Sequence, residues 1–160
     1  MSPPKSDPIC LLFVCLGNIC RSPALAAVME KLIRERGLEE RIFVDSMGLT
    51  THYLKRPVDL RIRAAAEKQN VPINHFAQLL RPSDLQRFDW IFAVDMEVQE
   101  LLQSYATTPA EKEKILLATA FSKKYPNQEI LDPYYDGEDA FDRVIAIAFD
   151  ACEGILASLQ

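Results

Sequence analysis

The chain has no apolar run long enough to cross a membrane; ICLLFVC, residues 9–15, is far short of the twenty or so residues a spanning helix needs. It has no excess of positive charge. Eighteen Lys and Arg stand against 23 Asp and Glu, a net charge of −5, which argues against general nucleic-acid binding. No secretory leader is expected, because MSPPKSDP is polar and rich in proline. Internal repeats, low-complexity linkers and composition breaks are also missing. Cysteine is scarce, at Cys10, Cys15, Cys20 and Cys152, and a chain of 160 residues builds a core without covalent staples. Reduced thiols in the cytoplasm are therefore expected. Residues 1–8 read as a flexible N-terminus and 9–160 as a single domain.

What is present is an alternation of buried strands and amphipathic helices. ICLLFV (9–14), IFV (42–44), WIFAV (90–94) and ILLATAF (115–121) are continuous apolar runs, as parallel strands covered on both faces require. From Pro23, apolar residues recur at Leu25, Val28, Met29, Leu32 and Ile33, a helical spacing, and proline suits a first turn. Helices are also expected over Asp59–Lys68, Met96–Tyr105 and Ala140–Leu159. This order predicts an α/β fold, a four-stranded parallel sheet with helices on both faces and right-handed crossovers. Ligands of such sheets sit beyond the carboxyl ends of the strands.

VCLGNICRSP, residues 14–23, occupies that place. A loop between strand and helix aims backbone N–H groups inward, and the helix adds the positive end of its dipole. Gly17 permits close backbone approach. Arg21 supplies a planar fork for two oxygens of a tetrahedral anion. Cys15, at the mouth of this cradle, is placed as a nucleophile whose thiolate the same field stabilises. Ser22 is placed to hydrogen-bond that thiolate. Taken singly, a cysteine after a buried strand is core filler more often than a catalyst; the Cys-x5-Arg-Ser spacing reverses that judgement.

The stretch Cys15-Leu16-Gly17-Asn18-Ile19-Cys20-Arg21-Ser22-Pro23 resembles the phosphate-binding loop of the low-molecular-weight protein tyrosine phosphatases, and the similarity runs from about Ile9 to the end. The resemblance implies hydrolysis of phosphotyrosine, and of small aryl or acyl phosphates, through a phosphocysteine intermediate, with neither metal nor other cofactor. It implies substrates that are phosphotyrosine-containing proteins, and inhibition by inorganic phosphate or similar oxyanions. A deep cradle also suits a long aryl phosphate better than a short phosphoserine.

Asp132-Pro133-Tyr134-Tyr135 matches the family's general-acid segment. By this likeness Asp132 protonates the leaving oxygen and then activates water, with Asp136 the weaker candidate and Tyr134 and Tyr135 offering aromatic surface. On the same grounds Asn18, strained in the loop, is supported by Ser46 and His75, and Asp95 caps the next helix. Cys20 is read either as packing beneath the loop or as a thiol that captures oxidised Cys15 as a disulfide.

The chain departs from the family around the site. Counting from Ser46 puts His52 where a Trp or Tyr usually walls the substrate slot, with Tyr53 next to it as the alternative wall. Lys55 stands where glycine is common, Leu60 where proline is, and Ala77-Gln78 where Ala-Arg is frequent. Two other functions compete. A thiol-dependent arsenate reductase needs further cysteines downstream of the loop, and none lies between Cys20 and Cys152. A phosphotyrosine-binding module without turnover is expected to lack Cys15 or Asp132.

Overall fold

The structure, a computed structural model, describes residues 7–160. Most of the expected N-terminal segment, 1–6, lies outside the described residues. Four strands, β1 (Ile9–Cys15), β2 (Ile42–Gly48), β3 (Trp90–Ala93) and β4 (Ile115–Leu117), pair in the order β2-β1-β3-β4, all parallel. The helices are α1 (Arg21–Glu35), α2 (Leu60–Glu67), α3 (Asp84–Arg87), α4 (Met96–Tyr105), α5 (Pro109–Glu113) and α6 (Glu138–Ser158).

Side chains of successive strand residues point to opposite faces. Leu11, Leu12, Phe13 and Val14 are all fully buried, so both faces of β1 are covered. Helices α1, α2 and α6 pack against one another, while α4 lies against β3 and β4. Phe13 stacks on Phe92 across β1 and β3, ring centroids 5.5 Å apart. The chain leaves β1 toward β2 on one side and reaches β3 on the other, so the crevice opens between the carboxyl ends of β1 and β3.

Several boundaries correct the sequence expectation. Helix α1 starts at Arg21, with Pro23 inside its first turn. Strand β2 runs on through Asp45 and Ser46 to Gly48; polar residues at the site end of a strand break the apolar run without ending the pairing. Strand β4 ends at Leu117 rather than Phe121. The Ala118 N–H still bonds to Ala93 O (2.8 Å), but the Thr119 hydroxyl then turns to the Gln128 carbonyl. The following turn is tied to α6, where Ser122 bonds to Asp150 and Gly154 lies against the Phe121 carbonyl. Helices α3 and α5 were not expected; α5 carries a capping box in Thr108-Pro109-Ala110-Glu111, a signature present in the sequence.

Candidate active site

The loop from Cys15 to Ser22 joins β1 to α1. Asn18 holds it together. Its backbone takes the left-handed conformation (φ 57°), which Asn tolerates better than most residues, and its side chain is fully buried. The Asn18 Oδ1 atom lies 2.7 Å from His75 Nε2 and accepts from the Gln78 N–H at 2.8 Å. Asn18 Nδ2 donates to Ser22 Oγ (2.8 Å) and Ser46 Oγ (3.0 Å). An amide oxygen only accepts, so His75 carries its proton on Nε2. Burial holds the His75 imidazole below its ordinary pKa, partly offset by Asp45, and so keeps the ring neutral.

Direction then propagates to the sulfur. The Ser22 oxygen accepts from Asn18, so its own hydrogen is free for Cys15 Sγ, 2.9 Å away. The Asn18 backbone N–H also donates to Cys15 Sγ, at 3.2 Å. Two donors thus converge on one buried sulfur. Cys20 occupies the N-cap of α1 without a side-chain capping bond. Burial, reinforced by the negative charge of Cys15, pushes the Cys20 thiol far up, so it stays protonated.

Arg21 is buried and braced. Its Nη1 donates to Asp95 Oδ2 and to the Ile130 carbonyl, each at 2.8 Å, using both hydrogens of that nitrogen. The Nε and Nη2 hydrogens remain for an anion in the loop. Burial alone lowers its pKa, but Cys15, Asp95 and Asp132 outweigh it and hold the guanidinium above its ordinary value. Asp95 caps α4 as expected, accepting the Val98 N–H at 2.9 Å, and also braces Arg21, a role that sequence spacing does not reveal.

Asp132 lies one residue past Leu131, beyond the Ile130 carbonyl that Arg21 grips, and its charge is felt at both Arg21 and Cys20. Asp136 instead lines a separate cavity with Met96 and Arg143. The Asp132 segment is tied to α2 by Arg61. Its guanidinium pairs with Asp59 (2.8 Å), donates to Tyr134 O (2.7 Å) and stacks over the rings of Tyr134 and Phe141. The Asp59 N–H in turn bonds to Ile19 O in the loop (2.8 Å), so one residue pair links loop and acid segment.

Tyr53, rather than His52, lies against the loop. A Cβ on Gly17 would sit 2.7 Å from the Tyr53 ring, which explains the glycine. His52 is exposed and meets Tyr53 edge-on at 4.6 Å. Desolvation, and after it the neighbouring Tyr134, raises the Tyr53 phenol pKa; Tyr135 is 94% exposed and packs edge-on against Tyr134. Among the departures from the family, Lys55 has φ 65°, the backbone a glycine adopts freely. Gln78 takes a bracing role, its Nε2 on Asp45 Oδ1 and Ser46 O.

This constellation, a cysteine facing two donors inside a loop closed by a braced arginine, is what a phosphate monoester needs. Residues 10–160 match the sequence model of the low molecular weight phosphotyrosine protein phosphatases. The chain belongs to that family. The low molecular weight phosphotyrosine protein phosphatase of Gallus gallus is 33% identical, covering 91% of this chain and 92% of its own. The fission yeast enzyme of the same name is also 33% identical, over 93% and 96%. A crystal structure of a protein tyrosine phosphatase from Entamoeba histolytica, with Hepes in its active site, superposes with a TM-score of 0.91 at 38% identity, covering 94% and 96% of the two chains. YfkJ from Bacillus subtilis gives 0.90 at 30% identity, covering 98% of each. The chain is thus a protein tyrosine phosphatase, a hydrolase of phosphoric monoesters that works through a phosphocysteine. Among the described residues no helix is long and apolar enough to cross a membrane, and no cluster of three metal-ligating side chains occurs.

Proposed function

We propose that Cys15, Arg21 and Asp132 carry the reaction, and that the substrates are phosphotyrosine-containing proteins in the cytoplasm. The observation that carries this reading is the convergence of the Ser22 hydroxyl and the Asn18 N–H on Cys15 Sγ. The Cys15 thiolate attacks phosphorus while the backbone N–H groups of Leu16, Gly17, Ile19 and Cys20, with Arg21, hold the equatorial oxygens. The P–O bond to tyrosine breaks, and Asp132 gives its proton to the leaving oxygen. Asp132, now a carboxylate, takes a proton from water, which attacks the phosphocysteine. The P–S bond breaks, the electron pair returns to sulfur, and the Ser22 hydroxyl stabilises the departing thiolate. Ser46 and His75 keep Asn18 in its strained conformation. Tyr53, Tyr134 and Tyr135 wall the slot, with His52 at its outer edge. Small aryl and acyl phosphates use the same path, and inorganic phosphate competes for the loop. All four cysteines are free. Cys152, the remaining thiol, is fully buried in α6 against the Leu25 carbonyl, which speaks against an arsenate-reductase relay.

Cys15→Ser tests the assignment. Its hydroxyl is not ionised at neutral pH, so turnover of p-nitrophenyl phosphate is lost while phosphate still binds. Retention of more than about a hundredth of wild-type kcat, roughly 2.7 kcal/mol of barrier, refutes Cys15 as nucleophile.

A further inference from the structure

Beside the slot lies a cavity of about 700 Å³ lined by Lys55, Arg81 and Arg87, with Asp84 as the single carboxylate on its wall. The surplus is two positive charges, in a chain whose net charge is −5. Asp84 is already engaged: its Oδ2 accepts the Arg81 N–H at 2.7 Å, and its Oδ1 lies 4.0 Å from Arg87. The side chains of Lys55 and Arg81 have no carboxylate partner among the described residues.

The floor of this cavity is rigid. The Lys55 N–H bonds to Ala77 O (2.9 Å), the Leu80 N–H to Gly48 O (2.8 Å) and the Gly48 N–H to Gln78 O (2.8 Å). Lys55 is held there in a left-handed backbone conformation, φ 65°, which disfavours any residue with a side chain. Glycine would relieve that strain but would leave the cavity with one cation fewer. Strain retained at a surface position points to use of the side chain. The cavity also adjoins the substrate path: Tyr53 lies against Gly17, Leu54 lines the cavity, and Lys55 follows.

We propose that this cavity recognises acidic side chains flanking the phosphotyrosine of a polypeptide substrate. The inference rests on the phosphatase reading above and adds a substrate class to it. A few extended residues, at roughly 3.3–3.6 Å each, carry a carboxylate from the slot past Tyr53 to Lys55. The partner is a peptide segment because the cavity shares Gln78 with the loop, through its N–H bond to Asn18 Oδ1, and follows Tyr53 by way of Leu54 and Lys55, and because unpartnered cations complement carboxylates.

The test uses two phosphotyrosine peptides that differ only in Glu against Gln at flanking positions. Wild type should hydrolyse the Glu peptide with kcat/KM about tenfold higher at low salt, from a few exposed charge pairs. The difference should lie in KM and should shrink at high ionic strength. Lys55→Gln with Arg81→Gln should abolish most of the preference and leave p-nitrophenyl phosphate turnover unchanged. Lys55→Arg with wild-type Arg81 should keep it. Equal rates for the two peptides in wild type, or a preference that survives both high salt and the double variant, overturn the proposal. So does a double variant that loses only its affinity for a single-stranded oligonucleotide. Failure to hydrolyse either peptide refutes the phosphatase reading itself, and is distinguishable because peptide preference is then never reached.

Discussion

Ser22 Oγ stands 2.9 Å from Cys15 Sγ and accepts from Asn18 Nδ2 at 2.8 Å, so its hydrogen faces the sulfur. A hydroxyl fixed in this way matters most when sulfur carries charge. That occurs in free enzyme and when the phosphocysteine breaks down. Ser22→Ala should therefore slow dephosphorylation more than phosphorylation. A hydrogen bond to a charged group contributes about 1.5–3 kcal/mol, or roughly ten- to a hundredfold in rate. Rapid-quench measurement should show a larger phosphoenzyme burst than in wild type; a smaller one refutes the assignment.

Asp132→Asn should cost in proportion to leaving-group basicity. General acid catalysis contributes about 10²–10⁴-fold, so loss should be small for p-nitrophenyl phosphate and large for phenyl phosphate. Arg61→Ala, which unties Tyr134 O from Asp59, should imitate part of this pattern by misplacing the acid, with lower kcat and a steeper leaving-group dependence. Arg61→Lys should restore little, since one ammonium cannot both pair with Asp59 and stack between two rings. Single-turnover rates over a series of aryl phosphates decide both; a slope equally shallow in wild type and Asp132→Asn moves the acid to Asp136.

His75 gives a pH dependence of stability. Its folded-state pKa lies below the ordinary 6.5, chiefly because burial disfavours the charged form. The unfolded chain therefore binds the proton first as pH falls. Stability from this residue is complete above about 6.5, declines as pH drops below it, and levels off below the folded-state value. Both protonation states donate from Nε2, so the bond to Asn18 Oδ1 survives and the effect falls on stability rather than on loop geometry. Urea unfolding at pH 7.5 and 5.5 should show a larger loss in wild type than in His75→Gln. An identical loss in the two removes His75 as its source.

Cys20 should guard the nucleophile. Peroxide oxidises the Cys15 thiolate to a sulfenic acid, and the Cys20 thiol condenses with it, forming the S–S bond and releasing water. Inactivation should be reversed by dithiothreitol and slowed by phosphate. In Cys20→Ser, recovery should fall severalfold. Mass spectrometry of the reversibly inactivated protein that finds no Cys15–Cys20 disulfide would leave Cys20 as a packing residue beneath the loop.

The sequence by itself determined the sheet strands, the long helices and the loop. Their signals are local: apolar runs for β1 and β3, helical spacing for α1, α4 and α6, and a cysteine, a glycine and an arginine within one strand-to-helix turn. Capping at Asp95 was legible too, since a cap and its partners lie within one turn, whereas the equally local Thr108–Glu111 box had no periodic apolar run behind it to mark α5. The end of β4 was not, because Thr119 leaves the ladder for the distant Gln128 carbonyl.

Only the tertiary structure decided which partners close the site. Arg21 is braced by Asp95 and by the carbonyl of Ile130, 109 residues away, and no spacing rule encodes a bond to a backbone oxygen that far along the chain. Counting put His52 at the slot wall with Tyr53 as its replacement, and which of the two rings lies against Gly17 is set by the loop geometry: Tyr53 does, with His52 edge-on behind it. Lys55 read as a bare departure from glycine until its left-handed backbone and the cations opposite came into view. Local pattern fixes residues within a turn or a strand of one another; the cavity beside the slot exists only because segments 47–55 and 77–87 fold onto each other.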